Sequence, residues 1–233
     1  MSKLYTENAS EYLEHNADWH VGDSPWKAEQ IIKILTKNNI TPKTVVEIGC
    51  GAAEILNQLH SKLADKTIQF EGYDVAPDAY ALAVKREKER IAVFQKDLLV
   101  EDKHYDLLLM MDVFEHVDDY IGFIRKSATK ATYRIYHIPL DVHVSSILRG
   151  QLMPVRESVG HLHYYTKESA LATLEYAGEQ IVDYAYTAGA WELDKNKRFK
   201  TMLANIPRRL LYAINPDFAV RMFGGCSLIV LTK

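Results

Sequence analysis

Two glycines close to residue 50 are the residues of this chain whose type and spacing most clearly indicate chemistry. Residues 44–56 read TVVEIGCGAAEIL. This run predicts a short buried strand, a tight turn at Gly49 and Gly51, and the start of a helix. Glycine allows positive φ and lets a ligand approach the backbone closely. Because the first turn of a helix directs free N–H groups toward the same place, the segment predicts a ligand site.

The neighbours of the glycines narrow the class of ligand. Glu47 suits a ligand with a positive charge or with amine and hydroxyl donors, and it would repel a pyrophosphate. A dinucleotide fingerprint needs a third glycine where Glu54 stands, and a P-loop needs a lysine followed by serine or threonine. Cys50, between the glycines, is expected to fill space rather than to act as a nucleophile.

Three further acids follow predicted strands. Asp74 ends the strand predicted at 67–74, Asp97 follows the strand at 91–95, and Asp112 follows the apolar run that begins after His104. In nucleotide-binding α/β folds, an acid about 20 residues past the glycines binds the ribose hydroxyls. Asp74 fits that role, whereas Asp112 could also cap the next helix.

The pattern acid-x-Gly-x-Gly, followed in order by these acids, resembles the class I S-adenosylmethionine-dependent methyltransferases over residues 44–138. The resemblance implies S-adenosyl-L-methionine as cofactor. Its methionine end would lie at the glycine turn, its ribose at Asp74, its adenine at Asp97, and the acceptor side near Asp112. The cofactor-binding residues implied are Glu47, Gly49, Cys50, Gly51, Asp74, Val75, Asp97, Leu98 and Asp112. Ala53 stands where many relatives carry a further glycine, and alanine still leaves room.

The alternation of strands and helices predicts an α/β fold with a parallel sheet and right-handed crossovers. The resemblance adds that the sheet is Rossmann-like and seven-stranded, with the last strand antiparallel and helices on both faces. One methyltransferase domain is expected over residues 1–233. Residues 1–40 would form an N-terminal lid and helix, with Trp19, His20 and Trp26 in the lid. Insertions at 139–165 and 188–225 would form the acceptor side, the first as a long connection and the second as short helices broken at Pro207 and Pro216.

Histidines supply the candidates for a general base, because an oxygen or nitrogen acceptor must lose a proton and imidazole suits that step at neutral pH. His137, at the end of the predicted fifth strand, is the first choice, followed by His143 and His161. The spacings His137-x-x-x-Asp141-x-His143 and His161-x-His163 also offer metal-ligand types. The acidic pattern of the metal-dependent methyltransferases is not clear here, so no metal is expected.

The composition favours an ordinary cytoplasmic protein. A net charge of −3 gives no basic footprint for nucleic acid, and two cysteines are too few for a disulfide framework. No signal peptide or membrane span is expected, and a homodimer is left open. The predicted function is methyl transfer to a small-molecule acceptor, with oxygen favoured over nitrogen or carbon. Two alternatives stay open: a non-catalytic methyltransferase-fold partner or scaffold subunit, and a nicotinamide oxidoreductase, which Glu47 and Glu54 disfavour.

Overall fold

Strands and helices alternate along the chain. The structure is a computed structural model that describes residues 21–193 and 199–233, of which 199–204 are described by their backbone only. The strands are β1 (Thr44–Ile48), β2 (Gln69–Asp74), β3 (Ile91–Gln95), β4 (Tyr105–Met111), β5 (Ala131–Pro139), β6 (Ile181–Thr187) and β7 (Ser227–Thr232). The helices are α1 (Ser24–Lys37), α2 (Glu54–Lys62), α3 (Pro77–Ala83), α4 (Tyr120–Ala128), α5 (Val144–Leu148), α6 (Leu152–Val159), α7 (Lys167–Ala177), α8 (Gly189–Glu192), α9 (Phe199–Ile214) and α10 (Pro216–Phe223).

The strands form one seven-stranded sheet in the order β3-β2-β1-β4-β5-β7-β6. The first five strands pair in parallel, and β7 runs antiparallel to both β5 and β6. The predicted α/β fold with an antiparallel last strand is therefore confirmed. Strand order reverses between β1 and β4, and ligands in open α/β sheets bind beyond the carboxyl ends of the strands at such a switch point.

Both faces of the sheet are covered, and β4 shows why its sequence is almost wholly apolar. Leu107 and Leu109 belong to a core cluster that includes residues of α1 and α2. Leu108 and Met110 belong to a second cluster that includes residues of α4 and α7. Because successive side chains of a strand point to opposite faces, a strand buried on both sides must be apolar at every position.

Local residue types account for the ends of helices α1 and α7. Pro25 lies in the first turn of α1, where its missing N–H removes no hydrogen bond. Thr166 and Ser169 form a capping box at the start of α7, and Gly178 ends that helix in the left-handed conformation. The helix α7 therefore starts and ends at residue types that usually occupy those positions.

The connection predicted at 139–165 contains two helices, α5 and α6, so its interpretation as a long loop is wrong. The side chain of His143 caps α5 by accepting the Ser146 N–H, and the Ser146 hydroxyl accepts the His143 N–H. Gly160 ends α6 at a φ of +79°. Histidine is not among the preferred N-cap residues, so the usual capping signal was missing from the sequence.

The break predicted at Pro207 is also wrong, because α9 continues through that residue to Ile214. A proline inside a helix removes one backbone hydrogen bond and bends the helix. Here α9 packs against α10, which starts at Pro216 as predicted. Within the described ranges, no helix has both the length and the apolar character that crossing a bilayer requires.

Candidate functional site

A cavity of about 350 Å³ opens where β1, β2, β4 and β5 end. Parallel strands bring their carboxyl ends to one edge of a sheet, so residues far apart in the chain meet there. The predicted cofactor residues that line the cavity are Glu47, Gly49, Cys50, Gly51, Asp74, Val75 and Asp112. The cavity therefore brings together most of the cofactor-binding residues that the sequence predicted.

The turn after β1 requires glycine for two reasons. Gly49 has a φ of +66° and Gly51 a φ of +54°, in the left-handed region that side chains disfavour. A Cβ atom at Gly49 would lie 2.9 Å from Cγ2 of Val113, which also lines the cavity. The Gly49 and Cys50 N–H groups both donate to the Tyr73 carbonyl, at 2.8 and 3.2 Å. The turn is thus held against β2 with its open side toward the cavity.

Asp74 fixes the same turn from the end of β2. One of its carboxylate oxygens accepts the Gly51 N–H at 2.9 Å, and the other accepts the Ala76 N–H at 2.9 Å. Burial raises the pKa of this carboxyl, and the backbone hydrogen bonds oppose that shift. A carboxylate has about four lone-pair sites, so Asp74 can hold the turn and still accept ligand hydroxyls.

Glu47 is a buried acid on the cavity wall. It is 1% exposed, and its Oε2 atom has no hydrogen-bond partner within residues 21–193 and 199–233. Burial raises the pKa of Glu47 well above its usual value, and only Lys27 opposes the shift. A buried carboxyl without a partner costs stability. Its oxygen is therefore available for a cationic group of a ligand.

Asp97 and Leu98 do not line the cavity. Asp97 is exposed and accepts the Leu99 N–H at 2.9 Å, which caps a short 3-10 turn. Leu98 is buried in the core. Their assignment to the adenine stays a prediction. Cys50 is buried and burial raises the pKa of its thiol, which agrees with a space-filling role.

Asp112 is the centre of a network of polar side-chain contacts that the sequence did not reveal. It has a φ of +58°, which aspartate tolerates better than most residues. Its carboxylate contacts Lys27 Nζ at 2.9 Å and His137 Nδ1 at 2.6 Å. Lys27 also contacts Asp23 at 3.2 Å, and His137 Nε2 contacts the Thr187 hydroxyl at 2.9 Å. This network of side-chain contacts therefore connects α1, β4, β5 and β6 at the cavity.

Lys27 and Asp112 keep each other charged. Burial would lower the pKa of Lys27, but Asp112 and then Asp23 outweigh that effect and raise it. Burial would raise the pKa of Asp112, but His137 and Lys27 outweigh that effect and hold it far below its usual value. The buried Lys27 ammonium and the Asp112 carboxylate, which is partly exposed to the cavity, thus form an ion pair beside Glu47.

The three candidate base histidines differ in what their ring nitrogens contact. Both nitrogens of His137 are engaged, by Asp112 and Thr187. His143 lines a separate small cavity, and its Nδ1 atom accepts the Ser146 N–H. His161 lines the main cavity and donates from Nδ1 to Asp141 at 2.6 Å. A carboxylate only accepts, so Nδ1 carries the proton and Nε2 of neutral His161 is the basic nitrogen.

Trp26 and Leu193, which are far apart in the sequence, both line the cavity. Trp26 donates to Glu192 at 2.6 Å and packs edge-on against His137. Trp19 and His20, the other residues predicted for a lid, lie outside the described residues, as do 194–198 of the second insertion.

The residues present fit S-adenosyl-L-methionine. An unpartnered Glu47 oxygen suits its ammonium group, the missing side chain at Gly49 leaves the wall open, and Asp74 retains acceptor capacity for ribose hydroxyls. The apolar side chains of Val113 and Val117 line the cavity beyond the residues that would hold the cofactor.

Comparisons with known proteins agree with this geometry. A family model described as a methyltransferase domain matches residues 24–184. The magnesium protoporphyrin IX methyltransferase ChlM of Synechocystis PCC 6803, with bound SAH, is 13% identical over 99% of this chain and 95% of that one, with a TM-score of 0.62. The N-methyltransferase NodS of Bradyrhizobium japonicum WM9, in complex with S-adenosyl-L-homocysteine, is 15% identical in sequence. The match covers 99% of this chain and 98% of NodS, with a TM-score of 0.60. The plantazolicin methyltransferase BpumL is 16% identical in sequence. The match covers 99% of this chain and 93% of BpumL, with a TM-score of 0.64. These structures share the fold, and no curated protein sequence matches the chain.

Proposed function

This chain belongs to the family of methyltransferase domains, and we propose that it transfers the methyl group of S-adenosyl-L-methionine to an oxygen atom of a small-molecule acceptor. The observation that carries the proposal is the cavity at the glycine turn, which Glu47 lines together with Gly49 and Asp74. A buried oxygen of Glu47 has no hydrogen-bond partner among the residues that the structure describes. A dinucleotide would bring a pyrophosphate to the same acids. The site therefore favours the sulfonium cofactor over a nicotinamide cofactor.

The chain's own residues mainly bind and orient. S-Adenosyl-L-methionine supplies an activated methyl group, and alignment of that group with the acceptor can supply much of the rate acceleration. Glu47, the glycine turn and Asp74 would hold the cofactor at one end of the cavity. Val113, Val117 and Trp26 would keep water from the other end.

We place the acceptor near His116 and His161, which line the cavity together with Val159. Of the three histidines expected to serve as a base, His161 has the best support, because its Nε2 atom is the basic nitrogen and its ring lies on the cavity. His137 has less support, since Asp112 and Thr187 occupy both of its nitrogens. We also propose a cytoplasmic setting, which two buried, free cysteines support.

The test of the proposed function has two stages. We expect calorimetry to detect binding of S-adenosylmethionine and S-adenosylhomocysteine but not of NAD. We expect Asp74→Ala to weaken binding at least tenfold, because the carboxylate both holds the Gly51 N–H and faces the cavity. A screen of phenols, carboxylic acids and amines with methyl-labelled cofactor should then label an oxygen acceptor. Normal binding by Asp74→Ala would contradict the site, and binding without any transfer would favour the scaffold alternative.

Cofactor binding should release a proton from Glu47. Its raised pKa means that the ligand-free protein keeps this proton at pH values where an ordinary glutamic acid is ionised. A nearby ammonium group favours the carboxylate, so affinity should fall by up to about tenfold for each pH unit below the raised pKa. Calorimetry of S-adenosylhomocysteine binding in two buffers with different ionisation enthalpies measures the released proton.

Glu47→Gln is the matched variant, because it keeps the shape and cannot ionise. We expect it to bind more weakly and to give the same enthalpy in both buffers. If the wild-type protein also gives buffer-independent enthalpies, Glu47 is not the group that meets the ammonium.

A further inference from the structure

Three side chains that can bind metal converge at the acceptor end of the cavity. Glu115 and His116 belong to the 3-10 turn after β4, and His161 follows α6. One ligand atom from each lies within 4.8 Å of the other two. Ligands around one tetrahedral ion at about 2.1 Å lie about 3.4 Å apart. Small side-chain movements would therefore bring the three onto one ion.

Glu115 is the independent observation that points to a ligand. It is 0% exposed, and neither of its carboxyl oxygens has a hydrogen-bond partner within the described ranges. Buried polar groups are nearly always paired, and an unpaired carboxyl in the interior costs stability. The Glu115 backbone is well held, since its carbonyl accepts the N–H groups of Leu162 and His163 at 2.9 and 3.2 Å. The same bonds fix the His161 segment beside the Glu115 side chain.

The two histidines are oriented as metal ligands usually are. His161 donates from Nδ1 to Asp141 at 2.6 Å, and His116 donates from Nδ1 to the Gly160 carbonyl at 3.0 Å. On both rings Nδ1 meets one of these acceptors, so the ligand atom that each histidine would offer a cation is Nε2. His116 Nε2 is 4.0 Å from Glu115 Oε1, and the two rings lie 4.9 Å apart.

We propose that Glu115, His116 and His161 bind a divalent first-row transition-metal cation, with Asp141 as the positioning residue for His161. Two imidazole nitrogens and one carboxylate oxygen match the protein ligands of catalytic zinc sites and of the two-histidine, one-carboxylate sites of iron. Mg²⁺ prefers oxygen ligands, so this set disfavours it. The proposal differs from the expectation of no metal, because the relevant glutamate adjoins β4 rather than the histidine-rich segment.

The cation would give the cavity a means of activating the acceptor, and this part of the inference rests on the proposed function. Since both histidines line the cavity, an open coordination position would face the acceptor oxygen. With the cation bound, Nε2 of His161 is a metal ligand and no longer acts as the base. The bound hydroxyl instead loses its proton to solvent, because the cation lowers its pKa. The oxygen then forms a bond to the methyl carbon while the carbon–sulfur bond breaks and its electron pair goes to sulfur. The products are the methyl ether, S-adenosylhomocysteine and one proton.

Metal binding is tested without cofactor or acceptor. Protein stripped with a chelator is titrated with Zn²⁺ by calorimetry and with Co²⁺ by visible absorption, with Mg²⁺ as the comparison ion. We expect one site for Zn²⁺ and Co²⁺. Glu115→Gln and His161→Ala should each weaken it at least about 100-fold, and Asp141→Asn about tenfold. His104→Ala is the matched control, because that exposed histidine bonds Thr129 and Thr132, does not line the cavity and should leave metal binding unchanged.

The outcomes separate the two proposals. Equal Zn²⁺ affinity in the wild type, Glu115→Gln and His161→Ala would overturn the metal site, provided that each variant still binds S-adenosylhomocysteine and so is folded. Loss of transfer in chelator that Zn²⁺ or Co²⁺ restores would support the role in acceptor activation. Full transfer in chelator would overturn that role while leaving the proposed function standing. Metal binding without transfer to any acceptor would instead keep the metal site and contradict the proposed function.

Discussion

Replacing Asp112 by alanine is expected to lower the free energy of unfolding by about 3 kcal/mol. Among the described residues, the variant would leave the Lys27 ammonium, 9% exposed, with Asp23 at 3.2 Å as its ion-pair partner. It would also deprive buried His137 of its 2.6 Å partner. Removing one member of a buried ion pair is costly because the remaining charge stays out of water. Urea unfolding at pH 7 measures the change.

Two further variants test the reason for this effect. Asp65→Ala removes an exposed pair with Lys43 and two hydrogen bonds from Thr67, and it should cost much less than Asp112→Ala. Lys27→Met in the Asp112→Ala background should restore part of the lost stability, since it removes the stranded charge. A loss for Asp112→Ala no larger than that for Asp65→Ala would contradict the buried-pair interpretation.

Replacing Gly49 by valine is expected to weaken cofactor binding at least about 100-fold and to destabilise the fold. Its φ of +66° is unfavourable for a β-branched side chain, and its Cβ atom would lie 2.9 Å from Val113. The new side chain would also enter the wall of the cavity. Calorimetry with S-adenosylhomocysteine and thermal unfolding measure the two effects separately.

Gly150→Val is the matched control for backbone strain. Gly150 has a φ of +60°, no atom lies within 4 Å of a Cβ placed there, and it does not line the cavity. We expect it to lose about 1–2 kcal/mol of stability and to keep normal affinity. Equal affinities for Gly49→Val and Gly150→Val would show that the glycine turn does not contact the cofactor.

The parts of the site that were predictable from the sequence are those that the backbone dictates. The glycine turn and the acids Asp74 and Asp112 follow apolar strands, and the carboxyl ends of parallel strands must meet. Fold class followed from the same alternation. Asp97 shows the limit of this reasoning, because a strand-end acid can bond its own turn, as it does with the Leu99 N–H, instead of facing the cavity.

Lys27 and Glu115 were harder to find because their roles depend on long-range packing. Lys27 shares a helix face with Ile31 and Ile34, a spacing that could have indicated burial, but its partner Asp112 comes from β4. Glu115 adjoins a predicted site acid, yet its burial and its nearness to His161 depend on α6 and the turn after it. No local pattern in the sequence contains that information.

The ion pair between Lys27 and Asp112 also limits how the cavity can move. Opening the cavity by swinging α1 away from the sheet would separate two charges inside the protein, a motion with a high barrier and a small equilibrium population. On the timescale of ligand exchange, α1 and the sheet should therefore behave as one rigid body. Entry and exit of ligands must then use motions of other segments. The side chains of this wall are already ordered in the folded protein. Ligand binding should therefore cost little further conformational entropy there.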